Sequence, residues 1–438
     1  MTITAVANPC ATPTRDWSSP PRVRAPKLVQ GVEFAACRRR AMRNWIKRHG
    51  RIFDINVPFF GRCVVVSDPI LVRAVCTASA EQLHNVAPNL SNWFGPGSMF
   101  GLDGSRHRAR RRLLAPAFHG QRLESYEKVI VAETMRESAN WPEGEEFRIL
   151  EPMNRITLNV ILLTIFGADG AELEELRAIV PPYMRLGQLV AFVPAPPSRL
   201  RRRSPWGRLD EFRKAFDGIV CALIARAGAD SALGERTDIL ALLVRTGMAP
   251  LDICDELLTL IGAGHETTAS ALGWAFERLR RHPDVLAELV REVDEGGSDF
   301  RRATVVELLR VRTVIDVAGR RVCAPEFDLG GWRIPQDRAV LVRIADLHEN
   351  PEIFPHPERF DPHRFRGTRP PAAWLPFGGG ARRCIGAEFA IAEIDIVLRT
   401  VLQNFHIQTD AAADEKSHFR GISHTPKLGG RLVVNRRR

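Results

Sequence analysis

The sequence predicts a mainly α-helical chain with small β-sheets, an α+β protein, and two observations carry the prediction. Apolar residues recur with the helical period of about 3.6 over most of the stretch from residue 122 to 295 and again after Cys384. Clusters of β-branched and aromatic residues punctuated by glycine fall instead near both ends. No period of roughly 20 to 50 residues repeats, which excludes a solenoid or a propeller.

The elements follow in order. The opening MTITAVANPCATPTRDWSSPPRVRAPKLVQ has no apolar run long enough for a secretory core or a spanning anchor. Its prolines and polar residues bury too little to offset the entropy of ordering. Residues 1–25 are therefore expected to be a loosely packed lead-in to a single domain over 26–438. Residues 52–67, IFDINVPFFGRCVVVS, read as two short strands about a turn at Gly61. Helices are predicted over 122–140, 149–166, 208–227, 237–245, 251–280 and 282–295. Pro283 breaks the last two apart and suits the first position of the second, where a missing N–H costs nothing. The Pro-rich stretch 193–206 reads as a loop. From 312 to 345 the pattern turns to strand: VAGRRV, FDLGGWRIP about Gly330-Gly331, and AVLVRIA. A further helix, 385–404, follows Cys384, and KLGGRLVV near the C-terminus reads as half of a hairpin.

Composition bounds the function. Across 438 residues, 45% are apolar and 26% charged, the balance of a globular protein. The formal net charge of +11 is scattered along the chain, which argues against a nucleic-acid surface and leaves a membrane surface or an acidic protein partner. The eight cysteines form no C-x-x-C pair, so no zinc or dithiol redox motif is present. With no long apolar run, a cytoplasmic protein without a membrane anchor is expected.

One cysteine stands apart. Phe377-Gly-Gly-Gly-Ala-Arg382-Arg-Cys384-Ile-Gly386 places it after a triple glycine and directly before a helix. Backbone amides at a helix start can point at a sulfur and favour its thiolate, the form that ligates iron. These residues match F-x-x-G-x-R-x-C-x-G, the haem-binding signature of the cytochromes P450, and the chain resembles that family over roughly residues 25–435. The resemblance implies the P450 fold, with haem b between a long central helix and the cysteine loop and its helix. It makes Cys384 the proximal thiolate ligand, shielded by Phe377. Gly380 and Gly386 would admit the porphyrin face, and Arg382 would reach a propionate.

A second site interrupts the apolar helix 251–280: Ala263-Gly264-His265-Glu266-Thr267-Thr268. Gly264 weakens the helix and a threonine hydroxyl can bond back one turn, which together predict a local opening. It resembles the family's oxygen-binding motif, so Thr267 would hydrogen-bond dioxygen and Glu266 relay protons, with Ala263 beside the cofactor. Glu307 and Arg310, three residues apart, can pair on one helix face. With Pro357-Glu358-Arg359-Phe360 downstream, the resemblance implies a structural triad of Glu307, Arg310 and Arg359. His107 and Arg111, one helical turn apart, and Arg320 on VAGRRV are further propionate partners.

What the resemblance implies is a monooxygenase acting on an apolar small molecule with O2, with electrons from NAD(P)H through a separate ferredoxin or flavodoxin and reductase. A peroxygenase, an isomerase or dehydratase, and a haem-binding protein without turnover are the alternatives. Substrate contacts are expected from Trp93, Phe94, Met99 and Phe100, from 183–194, from the helix face before Ala263, and from 313–317 and 422–425. Fatty acid, terpene, steroid and xenobiotic all remain open. The basic runs Arg108–Arg112 and Arg382-Arg383 would receive the acidic electron donor.

Overall fold

Where the helical period runs through the sequence, the structure carries a helix. The computed structural model describes residues 19–438 except 37, 59, 87–89, 168–169, 191–192 and 194–195. Within it, helices span Gln121–Ser138, Leu150–Phe166, Pro205–Ala229, Ile239–Val244, Pro250–Arg281, Pro283–Asp294 and Ala387–Asn404, each close to its predicted range. Pro283 is the first residue of its helix, as expected.

The central helix, Pro250–Arg281, is buried along nearly its whole length. It packs against Leu150–Phe166, itself buried on almost every face. Leu257, Leu258, Ile261, Leu272 and Phe276 join Met153, Ile156 and Ile161 in one large core. Each such side chain, fully withdrawn from water, contributes about 1.5–3 kcal/mol, so this helix pair anchors the domain and fixes what its middle turns face.

Several helices carry no clear period in the sequence. Ala171–Val190 holds Pro181 and Pro182 in its interior, which masks it, because proline ordinarily ends a helix. Arg38–His49 is almost wholly polar and buries only Ala41, Met42 and Trp45. Pro69–Thr77 and Gly104–Leu114 are short; the first is capped by the Asp68 carboxylate, which accepts from the amides of Ile70 and Leu71. The predicted loop 193–206 contains one helical turn, Ser198–Arg201.

The strands expected as separate pieces at the two ends combine. Ile52–Val57, Gly61–Val66, Ala339–Arg343, Val317–Val322 and Leu83–Asn85 form one five-stranded sheet in that order. The joint between Gly61–Val66 and Ala339–Arg343 is parallel, Cys63 opposite Ala339 and Val66 opposite Val342. Both strands are buried valine-rich runs, and such runs suit a parallel pair covered on both faces. The C-terminal segment is corrected too: Arg431–Leu432 pairs with Phe147–Arg148, and Val434–Arg436 with Phe405–Ile407, rather than forming half of a local hairpin.

Residues 1–18 of the predicted lead-in lie outside the described residues. Of its remainder, Val23 donates its amide to the Asp54 carbonyl and Asp54 to that of Pro21, so this part lies along the first strand. Among the described residues no helix is long and apolar enough to cross a membrane.

Candidate active site

Cys384 closes a tight loop. Its amide donates to the Phe377 carbonyl at 2.9 Å, a short helical turn covers Gly380–Arg382, and the helix Ala387–Asn404 begins just beyond Gly386. The glycines divide their labour. Gly380 has φ +64°, and a Cβ there would lie 1.6 Å from the Cys76 carbonyl oxygen, so the helix Pro69–Thr77 by itself excludes a side chain at this position. Gly386 would place a Cβ in open space, which leaves room above the loop. Phe377 meets Trp374 edge-on at 6.1 Å, and the Trp374 indole donates to the Val306 carbonyl.

Cys384 is exposed as a residue, although protein crowds its thiol. Burial pushes the Cys384 thiol up, against the opposing pull of the Gly386 amide, Arg111 and Arg383. The expected stabilisation of a thiolate by helix-start amides is therefore outweighed by desolvation. A bonded metal cation would remove the thiol proton outright.

The helix Asp299–Val311 braces this loop. Glu307 and Arg310, both fully buried, form a bidentate pair with two bonds of 2.7 Å. Arg310 also donates to the carbonyls of His348, Pro357 and Arg359. The predicted triad needs correction here. Arg359 contributes only its carbonyl, and its side chain is exposed; the second cation beside Glu307 is Arg364, at 3.6 Å. His348 extends the brace to the segment leading into the cysteine loop. Burial and Arg310 hold it down to about 3, so it is neutral; its Nε2 accepts from the Leu375 amide and its Nδ1 faces the Thr313 hydroxyl at 2.7 Å.

A cluster of cations lies nearby. His107 is buried, and burial, Arg382, Arg111 and Arg320 outweigh Asp103 to hold it down to about 4. Arg382 bonds the carboxylate of Asp103 and the carbonyls of Met99 and Leu102. Arg111 donates to the Arg383 carbonyl at 2.6 Å, and Arg320 to the carbonyl of Gly319. Among the described residues neither Arg111 nor Arg320 has a carboxylate within ion-pair distance. Burial pulls both guanidinium groups down. Of these three arginines only Arg382 is paired with a carboxylate, that of Asp103, an arrangement two further acidic groups would complete.

The opposite wall is the central helix. Ile261 and Thr268 are buried, yet Ala263 between them is exposed and Gly262, Gly264, Glu266 and Thr267 are half-exposed. The helix stays α-helical throughout, so the predicted opening is an uncovered surface and not an unwound turn. Thr267 donates back to the Ala263 carbonyl at 2.7 Å and Thr268 to that of Gly264 at 2.9 Å. Buried His265 bonds the Ile261 carbonyl through Nδ1, and its own carbonyl accepts from Thr157. The Glu266 carboxylate accepts from the Gln188 amide, a partner no sequence signal marked, since Gln188 lies in the last turn of the helix hidden by its prolines.

These residues fit the haem that the resemblance implies: a cysteine exposed within an enclosed loop, a glycine open above it, surplus arginines for two propionates, and an uncovered patch on a helix otherwise packed. The expected substrate contacts fare unevenly. Trp93 and Phe94 are buried. Trp93 packs where a Cβ on Gly187 would stand, and Phe94 does the same at Gly262, so both are core. Met99, Phe100, Ile315 and Ile422 remain half-exposed. The expected landing surface shrinks likewise: Arg110 is paired inward with Glu256 at 2.7 Å and Arg111 turns to Arg383, leaving Arg108 and Arg112 outermost.

Residues 20–430 match the family model described as Cytochrome P450. A Mycobacterium tuberculosis protein named "Putative cytochrome P450 138" is 53% identical over 425 residues, covering 95% of this chain and 96% of that protein. "Putative cytochrome P450 135B1" of the same species is 35% identical, covering 96% and 92%. Among solved structures, the retinoic acid-bound cyanobacterial CYP120A1 superposes with a TM-score of 0.84 at 22% identity, over 96% of this chain and 99% of that one. The cytochrome P450DA heme domain does so at 0.81 and 23%, over 96% and 98%.

Proposed function

The chain belongs to the cytochrome P450 family, whose members bind haem, iron protoporphyrin IX, and from that premise we propose that it is a monooxygenase of an apolar small molecule. It would insert one oxygen atom of O2 into a C–H or C=C bond, with electrons from NAD(P)H through a separate ferredoxin or flavodoxin and its reductase. Haem held by a thiolate supplies the redox chemistry that cleaves the O–O bond.

The side chains supply the rest. Cys384 would ligate the iron under the cover of Phe377. His107, Arg111, Arg320 and Arg382 would hold the propionates, and the bond of Arg382 to Asp103 ties it to the segment that carries His107. Two protons must reach the departing oxygen, a general-acid task. Thr267 has its hydroxyl on the uncovered face of the central helix, and Glu266, held by Gln188, is the adjoining acid. Half-exposed Met99, Phe100, Ile315 and Ile422 make the neighbourhood apolar.

The observation that carries this reading is the uncovered turn at Ala263–Thr267, which sets an acid and a hydroxyl at an open stretch in the middle of a buried helix. Holoprotein supplied with NAD(P)H, ferredoxin, reductase and isotopically labelled O2 should yield a product with one labelled oxygen. Turnover driven by peroxide alone, with no label taken from O2, would replace this reading with a peroxygenase.

A further inference from the structure

Away from the site, two sulfurs meet. Cys221, half-buried on the helix Pro205–Ala229, and Cys254, buried near the start of the central helix, have their sulfur atoms 3.8 Å apart. Among the described residues no other pair of cysteines lies within hydrogen-bond distance. Neither residue has a part in the reading given above. We propose that Cys221 and Cys254 form an oxidisable dithiol, a modification site whose disulfide clamps the helix Pro205–Ala229 to the central helix.

A disulfide has its sulfurs about 2.05 Å apart, so the pair must close by roughly 1.8 Å. Rotation about the Cα–Cβ bonds is the motion that would close it. The turn carrying Cys221 has slack as well, because Gly218 lies one turn before it and faces open space on its Cβ side, and glycine weakens a helix. The two sulfurs are not equivalent. Cys221 has access to solvent and is the one peroxide can reach, whereas Cys254 is buried, its thiol pushed up by that burial, and so comes second.

Hydrogen peroxide, the two-electron reduction product of O2, is the oxidant class. Cys221 sulfur attacks one peroxide oxygen, the O–O bond breaks, and sulfenic acid and water form. Cys254 sulfur then attacks the sulfenic sulfur; the S–S bond forms, hydroxide leaves, and the Cys254 proton makes it water. Two thiols and one peroxide give one disulfide and two waters.

The clamp would be felt beyond its own bond. Asp255, next to Cys254, bonds Arg213 of the Cys221 helix, and its other oxygen accepts the Gly97 amide at 2.7 Å. The same helix packs on Ala171–Val190, whose last turn holds Gln188 against Glu266. A disulfide here fixes the roof over the central helix.

The test is a peptide map of the holoprotein, reduced, then treated with hydrogen peroxide, and alkylated. Free thiol should disappear from Cys221 and Cys254 together, an intramolecular peptide joining them should appear, and dithiothreitol should restore both. Deuterium exchange of the helix Pro205–Ala229 should slow by roughly tenfold or more on oxidation, and Cys221→Ser should abolish both effects. Overturning results are independent alkylation of the two cysteines after peroxide, pairing of either with another cysteine, or unchanged exchange in the oxidised protein. Neither readout needs substrate or turnover, so a negative result here leaves the monooxygenase reading untouched, and the reverse.

Discussion

On the cysteine side of the site, polar groups are held by distant partners. Glu307 takes two bonds from Arg310, one from the Asp361 amide, and the charge of Arg364. His348 links that pair to Leu375. On the central-helix side, Thr267, Thr268 and Ser270 return their hydroxyls to carbonyls one turn back, and Ala263 is left uncovered. A buried, fully partnered network tolerates little displacement, whereas a hydroxyl bonded to its own helix can be released without disturbing a neighbour. The first suits a ligand that must not move, the second a donor that must turn toward a substrate.

The largest effect should come from Cys384→Ala, with complete loss of turnover and of the red-shifted band of the reduced, CO-bound protein. Retention of both would remove the basis of the comparison. Next is Glu307→Ala. It strands buried Arg310, at a cost of about 3–5 kcal/mol, seen as low haem content and a lowered urea midpoint. Glu266→Gln, on the open side, should leave the urea midpoint nearly unchanged while product formation falls by about 10²-fold or more. A loss of stability instead would place Glu266 in the scaffold.

Glu256, a buried carboxyl on the central helix, gives a pH test. Burial pushes it up to about 7 from its ordinary 4.5, against the pull of Arg110. The folded chain then binds the proton more tightly than the unfolded one, so stability should fall as pH rises from 4.5 to about 7 and level off above. Glu256→Gln should flatten that slope, by about 2–3 kcal/mol across the window, in urea unfolding at several pH values. Smallest of all should be Arg359→Ala, within about 0.5 kcal/mol, because its side chain is exposed. Arg364→Ala, which removes the second cation beside Glu307, should cost more.

Much was legible in the sequence because it is local. The signature around Cys384 and the acid-hydroxyl run on the central helix are each contained in a few residues, and a helical period declares itself within a few turns. Less legible was anything set by packing between distant segments. The contribution of Arg359 turned out to be a carbonyl, which no side-chain motif encodes, and Arg364 took the charge. Trp93 and Phe94 look like pocket walls by composition, but gaps at Gly187 and Gly262 drew them into the core.

The residues alone determined the helical class, the cysteine that can ligate iron, and the acid and hydroxyl beside it, since each depends on covalent identity and on spacings of a turn or two. Only the tertiary structure decided which arginines lack a carboxylate, that burial outweighs the helix-start amides at Cys384, and that Gln188 meets Glu266. Charge balance and desolvation depend on every atom within several ångströms, and the chain brings those atoms together from segments far apart in order.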